Sequence, residues 1–88
     1  MLADKSLPPV YACVQCGHCA VQYVMEHPNE WKNEYLVYLY ADLDKWINRF
    51  SELGLDFSLF REPDVGNKIT AIATESDGKI FKNLKLIK

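Results

Sequence analysis

All three cysteines of the chain, and one of its two histidines, fall within the seven residues Cys13-Val-Gln-Cys-Gly-His-Cys19. The run lies in a stretch bounded by proline at both ends, and those bounds limit what the segment can fold into. Pro8 and Pro9 suit the first turn of a helix, where their missing N–H groups are not needed. Pro28 stops a helix at about His27. At about 100° per residue, Val10, Cys13, Cys16, Gly17, Ala20, Val21 and Val24 cluster on one side and mark the expected packed face. Tyr11, Gln15, His18 and Gln22 recur at i, i+4, i+7 and i+11 and form a polar stripe on the other. Cys19 falls at the edge of the apolar cluster and is expected to be partly exposed.

Helical geometry bears directly on the chemistry of the run. Cys13 and Cys16 have the Cys-x-x-Cys spacing of a zinc half-site, as do Cys16 and Cys19, but zinc needs four ligands and no second half-site follows. On a helix, His18 points about 140° away from Cys13 and cannot chelate with it. A redox Cys-x-x-Cys pair typically follows a strand at a helix N-terminus, where the dipole lowers the thiol pKa. Here the cysteines begin one turn into the helix. Cys13 and Cys16 are therefore read as small apolar packing residues. A small Cys/His metal-binding or redox domain is kept as an alternative, and the expected metal and cofactor complement is none.

Beyond Pro28 the chain alternates strands and helices. Residues 28–34 form a polar loop with Trp31 as its anchor. Tyr35-Leu-Val-Tyr-Leu-Tyr40 is β-branched and aromatic with little alternation, as in a strand buried on both faces. Asp42 is a good N-cap, Leu43, Trp46, Ile47, Phe50 and Leu53 make an amphipathic helical stripe, and Gly54 is a natural residue to end it. Leu55, Phe57 and Leu59 alternate with Asp56 and Ser58, a half-exposed strand reaching Arg61. Residues 62–67 are turn-rich, Ile69 to Thr74 is a third strand, and Ser76-Asp-Gly78 turns the chain. Ile80 to Leu84 suits a short helical turn, and Leu84 to Ile87 a last strand. This order predicts one α/β domain over residues 1–88, a mixed β-sheet sandwiched by helices. Met1 to Leu7 shows no strand pattern, so the sheet is expected to lack its opening strand, or the chain to be truncated. An absent first strand would leave a sheet edge open, and open edges pair with other chains, so a homodimer through that edge is expected.

The composition is that of an ordinary globular core, 49% apolar with a formal net charge of -2. No basic region followed by an apolar run resembles a signal peptide, and no apolar stretch is long enough to span a bilayer. A cytoplasmic location without membrane association, with all three cysteines as thiols, is expected.

The segment from Leu7 through Gln15, Cys16, His18 and Ala20 resembles the first-helix motif of the type II peptidyl-tRNA hydrolase family, approximately D-L-x-M-x-x-G-K-x-A-A-Q-C-x-H-A. Asp64-Val-Gly-Asn-Lys-Ile-Thr70-Ala-Ile-Ala73 resembles a shortened form of the family's D-A-G-x-T-Q…T-V-L-A-I-G segment. Asn83-Leu-Lys-Leu-Ile87 resembles its closing H-L-K-L strand. The resemblance covers about residues 7 to 87. It implies a peptidyl-tRNA hydrolase II-like fold and hydrolysis of the ester joining a peptide to the terminal ribose of tRNA, without a required metal. On matching positions it implies a catalytic group of Gln15, His18, Asp64 and Thr70. His is suited to accept a proton from water near neutral pH. Asp64 would orient the imidazole or the water, and Thr70 and Gln15 would donate hydrogen bonds to substrate or a developing oxyanion.

The chain departs from the family in three places. Tyr11 stands where the family has a lysine, the 64–70 segment is short and lacks the threonine-glutamine pair, and the opening strand has no counterpart in the pattern. These departures motivate a second reading, a catalytically inactive module of the same fold that binds RNA or a protein. Tyr11, Gln22, Arg61, Asn67 and Lys68 are the candidate substrate-binding residues. Arg61 and Lys68 flank the Asp64 loop, and Lys79, Lys82, Lys85 and Lys88 form the only regular basic series, as contacts to tRNA phosphates would require.

Overall fold

The computed structural model describes residues 1–28, 31, 36–76 and 79–87. The elements in chain order are β1 (Leu2–Asp4), α1 (Pro9–Glu26), β2 (Leu39–Ala41), α2 (Leu43–Leu53), β3 (Phe57–Glu62) and β4 (Lys68–Thr74), with 3₁₀ turns at Pro63–Val65 and Lys79–Phe81. The strands form one mixed sheet in the order β2-β1-β4-β3, in which β1 runs parallel to β2 and antiparallel to β4, and β4 antiparallel to β3. The protein is thus a small α/β fold of four strands and two helices.

Local chemistry explains the element ends. The prolines open α1, and His27 caps its last turn by donating its backbone N–H to the Tyr23 carbonyl. The Asp42 carboxylate accepts the Lys45 N–H at the start of α2, and Gly54 ends that helix at φ 69°, where a Cβ would be strained.

The two helices cover opposite faces of the sheet, and the two layers differ in kind. Under α1 the contact is made of small side chains. Ala12, Cys16 and Cys19 meet Ala3, Ala71 and Ala73, and all are fully buried. Under α2 it is made of large ones, with Leu2, Ile72, Leu43, Trp46 and Phe50 at the centre. Phe50 is the hub, its ring centroid 5.8 Å from Trp46, 5.7 Å from Phe57 and 6.0 Å from Phe81.

A register shift between β3 and β4 matters for everything on the α1 side. Phe60 pairs with Ala71 but Arg61 pairs with Ile69, so Thr70 is the extra residue of a bulge. A bulge interrupts strand alternation. Ile69 and Ile72 therefore both reach the α2 layer, and Thr70 joins Ala71 and Ala73 on the α1 side.

Several expectations are corrected. The opening strand is not missing: Leu2–Asp4 lies inside the sheet, paired on both sides, so it leaves no open edge for a dimer to use. Three residues are too few to show a period, which is why no pattern marked it. The strand expected from Tyr35 to Tyr40 is only Leu39–Ala41, with Leu36 and Val37 exposed and Tyr35 outside the described residues. The expected closing strand is a single bridge between Leu86 and Leu39, flanked by hydrogen bonds from Tyr40 N–H to the Lys85 carbonyl and from Ile87 N–H to the Tyr38 carbonyl.

The packed face of α1 is also rotated from the expected one. Ala12, Gln15, Cys16, Cys19 and Tyr23 are buried, whereas Val10, Val14, Val21 and Val24 are exposed. Cys19, expected at the edge, is fully buried. The helix is apolar over most of its circumference, so hydropathy could not choose the arc that small-residue packing selects. Trp31 packs against the cluster around Cys19 and Tyr23. The turn expected at Asp77 and Gly78, and the remainder of the 29–35 loop, fall outside the described residues. No helix among the described residues is long and apolar enough to cross a membrane.

Truncating the hub tests the layer assignment. Phe50→Ala is expected to destabilise the fold by about 3–5 kcal/mol in urea denaturation, the range for emptying a fully buried aromatic site.

Candidate functional site

The candidate residues collect where α1 begins and where β3 passes through the Pro63–Val65 turn into β4. Gln15 is only 2% exposed, a polar side chain facing the sheet. Its carbonyl oxygen accepts the Thr70 hydroxyl, and its amide donates to Glu62 Oε2 at 3.0 Å. The bulge turns Thr70 into this position, and strand parity places Glu62 on the same face as Ser58 and Phe60. Glu62 also accepts the Asp64 backbone N–H at 3.4 Å through Oε1, which ties the 3₁₀ turn to the network.

His18 lies one turn further along α1, exposed, its ring stacked flat on Phe60 at 4.9 Å between centroids and 9° between planes. A flat stack uses the ring face and leaves the nitrogens at its edge. Asp64 is exposed in the turn, and no hydrogen bond joins it to His18 among the described residues. Of the four expected catalytic residues, the fold therefore joins Gln15 to Thr70 directly and leaves His18 and Asp64 separately exposed. Thr70 has its proton committed to Gln15, and Gln15 has one of two amide protons committed to Glu62. The second Gln15 N–H takes no part in these two bonds, and the side chain is buried.

The expected substrate-binding residues divide similarly. Tyr11 is half-buried in the first turn of α1. Gln22 sits two turns beyond Gln15 and donates to Glu26 Oε2 at 2.7 Å. Arg61 is exposed and donates to the Asn67 carbonyl at 3.4 Å, closing the turn in which Asn67 adopts φ 61°. Lys68 is exposed and opposite Glu62 in register. Asp4, at the end of β1, shows which charges gather here. Burial pushes its carboxyl up, but hydrogen bonds from the Ser6 N–H and hydroxyl, and then the charges of Lys68 and Lys5, hold it below its ordinary value.

Glu62 and Phe60 had not been singled out. Their signal was parity, because residues 58, 60 and 62 alternate with the apolar face of β3. The same parity exposes a second polar cluster. Ser58, 1% exposed, donates its hydroxyl to Glu26 Oε1 and lies 3.4 Å from His27 Nδ1, while Cys19 Sγ donates to the Ser58 carbonyl at 3.5 Å. The hydrogen bonds from Ser58 and then Gln22 hold Glu26 below its ordinary value. The Ser58 hydroxyl is committed to Glu26, and the cluster fastens the C-terminal end of α1 to β3.

Burial also governs the cysteines. It pushes the Cys16 thiol up to about 11 and the Cys19 thiol up to about 12. Both are protonated at neutral pH, whereas metal binding and nucleophilic attack need thiolates. No group of three His, Cys, Asp or Glu side chains suited to a metal ion forms among the described residues.

A cavity of about 470 Å³ lies at the opposite end of β4, lined by Met1, Tyr23, Trp31, Val37, Thr74 and Phe81 among others. None of the candidate residues lines it. At the candidate site, Gln15 and Thr70 are buried, and His18, Asp64, Arg61 and Lys68 around them are exposed.

Two outcomes test this description. Thr70→Val leaves the Gln15 carbonyl unpaired and is expected to cost about 1–3 kcal/mol by denaturation, with coupling to Gln15→Ala of at least ~0.5 kcal/mol in a double-mutant cycle. The buried thiols set a pH dependence at the alkaline end. Below the ordinary thiol value of 9.0 both states keep these protons and stability is unaffected. As pH rises above it, the unfolded chain releases them first, so stability falls until the folded thiols titrate at about 11 and 12. Replacing both Cys16 and Cys19 by Ala is expected to flatten that part of the profile. No protein-family model matches the chain, and comparison with curated proteins and with solved structures finds no match.

Proposed function

We propose that the protein is a divergent peptidyl-tRNA hydrolase-like enzyme that cleaves the ester between a peptide and the ribose of tRNA. The observation that carries this reading is the hydrogen bond from Thr70 to Gln15, 55 positions apart in the chain. It joins the two segments that separately resemble the hydrolase motifs, beneath the exposed His18 and Asp64. Water adds to the ester carbon and gives up a proton to His18, and the ribose oxygen leaves with a proton returned from the imidazolium. In this reading the second Gln15 N–H steadies the oxyanion once substrate uncovers the side chain. Asp64, in its exposed turn, then orients the water or the imidazole when substrate brings the two segments together. Lys5, Arg61 and Lys68 supply positive charge for tRNA phosphates around the same end of the sheet, in a chain whose formal net charge is -2.

Tyr11 favours a second reading. A phenol cannot provide the ammonium charge that a lysine would offer to phosphate or oxyanion at neutral pH. In that case the same surface binds tRNA, or a protein partner, without turnover.

A hydrolysis assay on peptidyl-tRNA separates the readings. Turnover by the native chain, reduced about 100-fold or more in His18→Ala and Asp64→Ala, is the expected result for the enzyme. Full turnover by both variants refutes the site. Activity that appears only with Tyr11→Lys, alongside salt-dependent tRNA binding by the native chain, assigns the binding module instead.

A further inference from the structure

The outer face of α1 is built like an interface. Val10, Val14, Gly17, Val21 and Val24 follow steps of four, three, four and three residues, the spacing that keeps one seam along a helix. The valines point away from the sheet and are 80%, 52%, 60% and 44% exposed in that order. From Pro9 to Met25 the helix contains no Asp, Glu, Lys or Arg, so its solvent side has none of the charge that ordinarily covers an exposed helix.

Gly17 is a separate observation pointing the same way. A Cβ built there meets nothing within 4 Å, so packing within the chain does not call for a glycine. In mid-helix it is less favourable than alanine. Its place at the centre of the valine seam is explained by the close approach of a second helix.

The seam is nearly palindromic about Gly17. In an antiparallel pairing centred there, Val10 of one copy falls opposite Val24 of the other, and Val14 falls within one residue of Val21. A two-fold interface requires this self-complementarity, in which the same patch serves both partners. With no ionised side chain on the seam, a second copy meets no like charge. We infer that the protein self-associates through α1, as an antiparallel pair of helices crossing at Gly17. The expected open sheet edge plays no part in this contact, and the pairing does not depend on the enzymatic reading.

Sedimentation equilibrium on the full chain tests it. One helix pair is a small interface, so a Kd on the order of 10–100 μM is expected, with the mass rising to that of two chains. Val14→Lys is expected to return the mass to one chain. So is Gly17→Leu, which raises helix propensity and enters open space, so loss of folding cannot account for its effect; unchanged circular dichroism checks this. Combining Val14→Lys with Val21→Glu places opposite charges across the antiparallel seam and is expected to restore the dimer. A single-chain mass up to about 1 mM, or a dimer indifferent to Val14→Lys and Gly17→Leu, overturns the inference. Failure of the charge pair to restore a dimer that Val14→Lys abolishes overturns the antiparallel register.

Discussion

The seating of α1 on an alanine-lined sheet face is the constraint on which the rest of the molecule depends. Ala12, Cys16 and Cys19 meet Ala3, Ala71 and Ala73, and none leaves room for water. Side chains this small bring the helix backbone near the sheet, so a medium-length polar group on the same face can reach a strand. Gln15 does so, contacting Thr70 and Glu62. Burial of its amide is offset because the oxygen and the nitrogen each find a partner. Two valines larger on this face would hold the helix further out, and the network would not close.

That seating has a counterpart in the β3–β4 bulge. Without the bulge, strand alternation would put Thr70 on the face of Ile72, toward the aromatic layer under α2. With it, one strand supplies apolar side chains to one layer and a hydrogen-bond donor to the other. Bulges are commonly found where a side chain must be re-aimed near a site. The bulge also leads into the turn that carries Asp64, so the positions of Thr70 and Asp64 are mechanically linked through Glu62. The two ends of α1 are thus fastened differently, by Gln15 near its start and by the Ser58–Glu26 bond at its finish. The thiols between them are insulated by the same packing.

Much of the architecture was legible in the chain because its signals are local. The prolines bounding α1, the Asp42 cap, the Gly54 terminus and the amphipathic stripe of α2 act within a few residues, and each stands where it was expected. The pairing of the Gln15 segment with the Thr70 segment has no local signal, since the two lie 55 positions apart. Glu62 went unnoticed because its partner is 47 positions away. β1 went unnoticed because a three-residue strand in the middle of a sheet needs neither length nor alternation when its neighbours supply every hydrogen bond.

The sequence by itself determined that the run from Pro9 to about His27 forms a helix, that the chain alternates helix and strand, and that no second zinc half-site follows its cysteines. Those are short-range matters of backbone geometry and spacing. Only the tertiary structure decided which side of that helix faces the sheet. Around α1 almost every direction is apolar, so the hydrophobic effect alone is nearly indifferent to its rotation. The choice fell to shape and hydrogen bonding. The arc of alanine and cysteine fits the alanines of β1 and β4, Gln15 finds its two partners there, and the valines are turned outward as a consequence.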